Sequence, residues 1–214
     1  MKLLIAPKNY SSWSVRPWVL MRHFDIPFEE VIAPLFAEDN AKATIENWSA
    51  AGKVPVLKDG DVTIWDSLSI MEYVAERFPE KMLWPVESAA RAVARSVAAE
   101  MHSSFMALRN EMPMNARGHV PGFRYSSDCA ADIARVFEIW RDCVDGSGGP
   151  FLFGEFCIAD AMYVPVISRL KTYGVSFGQT ASAYADAVWS LPAIQHWLAD
   201  AAAEPWTVEK YELG

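Results

Sequence analysis

The sequence predicts an α/β unit of about eighty residues followed by an all-helical unit. Three observations carry that expectation. A short apolar run, Leu3-Leu4-Ile5, leads into a hydroxyl-rich turn and then into Trp13, Pro17, Leu20, Met21 and Phe24 at helical spacing. Two apolar runs flank a Lys-Asp-Gly-Asp turn at residues 58–61, and the stripe Leu68, Met71, Val74, Ala75 and Phe78 follows them. From Ser88 onward the chain alternates helix-favouring stretches with glycine- and proline-rich breaks.

Taken in order, Leu3-Leu4-Ile5 is too short for a helix and suits a buried strand. The turn Asn9-Tyr10-Ser11-Ser12-Trp13-Ser14 precedes a helix whose start falls near Ser14, because Pro17 is tolerated only in the first turn. Ser11 and Ser12 then lie on an irregular loop ahead of the helix. Hydroxyls and free N–H groups there serve either as ordinary caps or as an anion site. Pro27 to Ile32 has strand character, and Ala37 to Trp48 reads as a short helix capped by Asp39 or Asn40. Residues 54–65 form a hairpin with Pro55 at its first residue, where a missing N–H costs no ladder bond. Most X–Pro bonds are trans; a cis Val54-Pro55 bond would free the Val54 backbone to pair elsewhere. Asp66 and Ser67 stand at the entrance of the next helix, as plain caps or as partners for a charged ligand. Phe78-Pro79 ends that helix. This divides the chain into residues 1–79, a linker at 80–87 and a helical unit at 88–214.

With 214 residues, 52% hydrophobic and 21% charged, the chain has ample material for a core. A net charge of −8 argues against nucleic acid or an anionic membrane as partner. No apolar run approaches the roughly 18 residues that span a bilayer, and the amino terminus lacks a signal-peptide pattern, so a cytoplasmic protein is expected. Cys129, Cys143 and Cys157 fit no close metal spacing and read as free thiols; no metal is expected.

The segments Ser11-Ser12-Trp13-Ser14-Val15-Arg16, Gly52-Lys53-Val54-Pro55-Val56-Leu57 and Asp66-Ser67-Leu68-Ser69-Ile70-Met71-Glu72-Tyr73, in this order, resemble the glutathione S-transferase family. The serine turn is most similar to the zeta class, which includes maleylacetoacetate isomerases. The resemblance implies an amino-terminal thioredoxin-like domain (βαβαββα), a helical domain carrying the electrophile site and dimer contacts, and glutathione as cofactor. It implies that Ser11, with Ser12 as rival, donates to the glutathione sulfur and favours its thiolate. It gives Val54 a backbone role toward the cysteinyl part, and Asp66 and Ser67 the ammonium and carboxylate of the γ-glutamyl end. Lys53, and more remotely Asn40 or Lys42, approaches the glycyl carboxylate. Two departures stand out: Ser49-Ala50 replaces the usual Asn-Pro or Ser-Pro, and Trp13-Ser14-Val15-Arg16-Pro17-Trp18 differs from the zeta continuation. A serine cannot form the mixed disulfide of the cysteine-bearing classes, which argues against reductive deglutathionylation.

In the helical half, Val93, Val97, Met101, Phe105 and Leu108 make a long stripe, and residues 130–144 another. Met101, Phe105, Met106 and Arg109 line either the core or a substrate pocket facing the serine turn. Cys157 and Asp160 resemble the family's capping box, with a thiol, a poor acceptor, in place of the usual hydroxyl; half a box is expected, through Asp160. His102, His119 and His196 are scattered and receive no chemical role. The expected function is glutathione transfer to a small electrophile, including isomerisation of the maleylacetoacetate type, by a homodimer. A binding or carrier protein of the same fold is the alternative. A serine hydrolase finds no partner residues and no nucleophile elbow.

Overall fold

The structure, a computed structural model, describes residues 1–33 and 41–213, with the side chains of residues 41 and 42 left aside. The expected cap at Asp39 or Asn40, and the roles raised for Asn40 and the Lys42 side chain, lie outside the described residues.

Strand β1 (Lys2–Ile5) is followed by helix α1 (Val15–His23) and by β2 (Glu29–Ile32), which pairs parallel to β1 with Leu3 opposite Glu30. A parallel neighbour needs a crossover, and α1 supplies it. Helix α2 (Ala41–Glu46) precedes the hairpin of β3 (Val56–Asp59) and β4 (Val62–Trp65), and then α3 (Ser67–Arg77). Gly60 makes the hairpin turn at a φ of 56°, a left-handed conformation that costs a glycine nothing. β3 runs antiparallel to β1, giving the sheet order β2-β1-β3-β4. This is the expected thioredoxin-like βαβαββα unit. The Val54-Pro55 bond is cis.

After a short 3₁₀ turn at Pro79–Lys81 come α4 (Ser88–Ser103), α5 (Met106–Glu111), α6 (Ser127–Ser147), α7 (Ile158–Thr172), α8 (Gln179–Trp189) and α9 (Pro192–Ala203). The stripe from Val93 to Leu108 is not one helix face. Val93 is 52% exposed, and α4 instead buries Ala94, Val97, Ala98 and Met101. The chain then breaks at Ser104, and Phe105 adopts a φ of 64°, rare for an aromatic residue, before α5 restarts. Arg109 secures the break: its guanidinium donates to the carbonyls of Met101, Ser104 (2.9 Å) and His102 (3.4 Å), satisfying the open end of α4.

One apolar cluster runs through both halves. It joins Leu3, Trp18, Leu20, Ile70 and Val74 to Met101, Trp140, Ile158 and Ile167, with α1 packed on α7 and α9. On the other side of the sheet, Leu4, Ala33, Ile45 and Val56 form a smaller cluster. Helix α7 is buried along nearly its whole length. Its start is held by Asp160, which accepts from the N–H groups of Cys157 (2.9 Å) and Leu152 (3.0 Å), and the Cys157 sulfur faces the Asp160 N–H in return, so both halves of the box are present where only the Asp160 half was expected.

Candidate functional site

The loop before α1 is fixed from the helical half. Asn9 is fully buried; its side chain donates to Asn115 Oδ1 (2.9 Å) and accepts from the Arg117 N–H (2.9 Å), while its backbone bonds Ala116 and Glu204. Lys8 is buried between Trp18 and Trp197 and paired with Glu30 (2.9 Å) and Asp200 (2.5 Å). These bonds hold Ser11, Ser12 and Trp13 in place ahead of α1. Ser14 stands at the helix entrance but does not cap it. Its hydroxyl oxygen accepts from the Ala6 N–H (3.2 Å) and from the Ser11 hydroxyl (2.7 Å). Ser11 is half-buried and Ser12 is buried.

Two cavities meet at this turn. The first, about 730 Å³, is lined by Lys53, Val54, Trp65, Asp66, Ser67 and His102 among others; the second, about 290 Å³, by Ser11, Ser12, Arg109, Arg169 and Tyr211 among others. Among the described residues Trp13 and Val54 line both. The sequence-derived positions thus divide: Lys53, Val54, Asp66 and Ser67 share the first cavity, and Ser11, Ser12 and Arg109 the second. Met101 and Phe105 line neither; at 0% and 4% exposure they belong to the core cluster, Met101 on the face that α4 packs toward α7 and Phe105 at the break before α5.

Asp66 is both cap and cavity wall. It is held at a φ of 79°, and Oδ1 accepts from the N–H groups of Leu68 (2.9 Å) and Ser69 (3.2 Å) at the start of α3. Its Oδ2 lies 3.1 Å from His102 Nε2. Arg16 is fully buried behind this wall. It donates to Ser67 Oγ at 3.4 Å and lies 4.3 Å from the Trp13 ring centre, while Nε and Nη2 have no partner among the described residues. Arg109 also approaches the Trp13 ring, at 5.1 Å, and His102 meets its edge at 5.2 Å.

Burial, followed by repulsion from Arg109 and Arg169, pushes the Arg16 guanidinium well down, and Asp66 opposes this. Arg169, fully buried, is lowered to about 9, chiefly by desolvation. His102 is lowered, first by burial; Asp66 opposes that, and Arg16 and Arg109 reinforce it. The turn therefore lies near three guanidinium groups, Arg16, Arg109 and Arg169, whose positive charge favours an anion nearby.

Sequence reasoning missed Trp13, Arg16, Arg169, His102 and Tyr211 as neighbours of the site. Arg16 and Trp13 stood within the quoted serine motif; His102 carried no signal beyond its place near the end of a helical stripe. Tyr211 arrives from a carboxy-terminal segment that packs on Tyr10, whose hydroxyl donates to Glu212 at 2.5 Å. Among the described residues no cluster of histidine, cysteine or carboxylate side chains is arranged to hold a metal, and no helix is long and apolar enough to cross a membrane.

A thioredoxin-like unit with a cis-proline beside the site, joined to a helical bundle, defines the class. The model of the glutathione S-transferase amino-terminal domain matches residues 10–77, and that of the carboxy-terminal domain matches residues 87–203. The chain belongs to the glutathione S-transferase family. It is 27% identical over 182 residues to glutathione S-transferase 1 of Dianthus caryophyllus, covering 84% of this chain and 81% of that one. It is 24% identical over 172 residues to maleylacetoacetate isomerase of Mus musculus, covering 78% and 77%. Its fold matches a glutathione transferase homologue from Burkholderia solved with bound glutathione, with a TM-score of 0.73 and 20% identity over 95% of this chain and 98% of that one.

Proposed function

We propose that the protein is a glutathione transferase that binds glutathione along the first cavity, holds its sulfur as thiolate at the serine turn, and adds it to a small electrophile in the second. The observation that carries this reading is the shared wall of the two cavities. A tripeptide with its γ-glutamyl end at Asp66 and Ser67 and its glycyl end toward Lys53 has its cysteinyl part at Val54. Its sulfur is then directed to where the Ser11 and Ser12 cavity begins. Ser11 or Ser12 donates a hydrogen bond to the sulfur, and the nearby guanidinium groups favour the charged form. The thiol proton leaves to solvent, the sulfur attacks the electrophile, and no covalent bond to the protein forms. Reversible addition followed by bond rotation and elimination gives isomerisation, the version toward which the mouse relative's name points. Exposed Val62 (47%), Trp65 (55%), Val93 (52%) and Met106 (58%) offer apolar surface for a second copy, in keeping with a homodimer.

One observation favours a second reading, a non-catalytic glutathione-binding or carrier protein: the Ser11 hydroxyl is engaged by Ser14 at 2.7 Å. Calorimetry with glutathione, near neutral and at higher pH, on the wild type and Ser11→Ala decides between them. Proton release on binding that the variant lacks supports a thiolate site. Binding with no proton release in either supports the carrier, and no binding at all sinks both.

A further inference from the structure

We propose that His102 is a positioning residue for the amine of the bound peptide: its neutral imidazole holds the Asp66 carboxylate, and its protonation weakens binding of the ligand's ammonium group. This rests on the reading of the first cavity as the glutathione site. The family resemblance assigns nothing to this histidine.

The Asp66 carboxylate has two faces with separate tasks. Oδ1 is committed to the amides of Leu68 and Ser69, which leaves Oδ2 to face the cavity. There it meets His102 Nε2 at 3.1 Å. An Nε2–H donor makes Nδ1 the bare ring nitrogen, and Nδ1 is buried with no hydrogen-bond partner among the described residues. Protonating the ring places an N–H at that buried, partnerless atom. It also places a positive charge within reach of any ammonium drawn to Asp66.

The charged groups around the ring come from four elements. Asp66, at the end of the hairpin, favours protonation, while Arg16 of α1 and Arg109 of α5 oppose it. On the outer side Glu72 and Glu76 of α3 line an open groove that His102 also borders. Burial is the largest influence and lowers the imidazole, so the ring is neutral near pH 7. In that state Nε2 lies against Asp66 Oδ2 at 3.1 Å and the ring does not compete for the carboxylate's charge. As pH falls, the two cations compete for one carboxylate. By linkage, binding the ammonium also disfavours protonation of the ring.

S-methylglutathione tests this cleanly because it has no thiol to titrate. Its dissociation constant is measured by calorimetry at about pH 7.5 and about pH 5 for wild type, His102→Gln and His102→Ala, alongside the analogue lacking the amine. The wild type is expected to weaken about tenfold toward acid. His102→Gln, which still donates but does not titrate, binds within about threefold of wild type at the higher pH and does not weaken further. His102→Ala is about tenfold weaker at both. The analogue lacking the amine shows no pH dependence and little response to either variant. A wild type that binds equally at both pH values, a His102→Gln variant that keeps the wild-type fall, or an equal fall with the amine-free analogue overturns the proposal and leaves the glutathione reading standing. A wild type that binds no S-methylglutathione and no glutathione at either pH overturns that reading and this one together.

Discussion

The hydroxyl of Ser11 lies 2.7 Å from that of Ser14, whose oxygen also accepts from the Ala6 amide at 3.2 Å. Ser14 is fully buried, whereas Ser11 lines a cavity. The two serines should therefore fail differently. Ser11→Ala is expected to lower kcat/KM for glutathione conjugation by about tenfold or more with little change in Tm. Ser14→Ala strands the buried Ala6 N–H and is expected to cost about 1–3 kcal/mol of stability. Denaturant unfolding beside steady-state kinetics separates the two. Equal losses of Tm in both variants would refute the division.

Arg109 combines two positions: its guanidinium closes the end of α4, and its side chain lines the serine cavity. Arg109→Lys keeps the charge but loses the planar fork that reaches several carbonyls at once. It should therefore lose about 1–3 kcal/mol of stability, with Arg109→Ala losing more. Thermal unfolding checks the order; a lysine variant as stable as wild type would show that charge alone matters.

Lys8 is another buried cation, paired with Glu30 and Asp200 and set against two indole rings. Replacing it by methionine leaves Glu30, only 20% exposed at its side chain, without that partner. A loss of about 2–4 kcal/mol is expected, with most of it recovered by adding Glu30→Gln. A double-mutant cycle in urea supplies the measurement.

Asp160 is fully buried and its pKa is raised to about 6, chiefly by desolvation and against the pull of two backbone N–H donors. The folded state thus binds its proton more tightly than the unfolded chain does. The stability linked to that proton is present below about pH 4 and is lost as pH rises to about 6. Asp160→Asn does not titrate. Its stability deficit relative to wild type should shrink by about 2–3 kcal/mol across that interval, as read from urea midpoints at several pH values. A deficit that stays constant with pH would contradict the assignment.

Much of this architecture was legible in the sequence where local rules decide it. Pro17 fixed the start of α1 and Gly60 the hairpin, while at α3 the expected terminus at Ser67 was right to within one residue and Asp66 before it is the cap. Each is a position where one residue's own covalent structure sets the backbone. The misreadings arose where tertiary packing decides. Periodicity grouped Val93 with Met101 and Phe105, yet α4 turns Ala94 and Ala98 toward its neighbours, exposes Val93 and ends before Phe105. Met101 and Phe105 were in the right region but face the core, and Arg109 alone of that trio reaches a cavity. His102 joins Asp66 across 36 positions of sequence, from 66 to 102, and no local pattern announces such a pairing.

The apolar cluster that runs without interruption from the sheet through α1 into α7 has a consequence for how such chains can be recombined. Residues 80–87 look like a seam, but cutting there would expose the buried face of α1 on one fragment and of α7 on the other. Grafting this helical half onto another relative's amino-terminal unit would bring a new pocket only if the α1 surface travelled with it. The serine-lined cavity is thereby tied to α1, the helix whose entrance carries the serine turn and whose buried face the bundle covers.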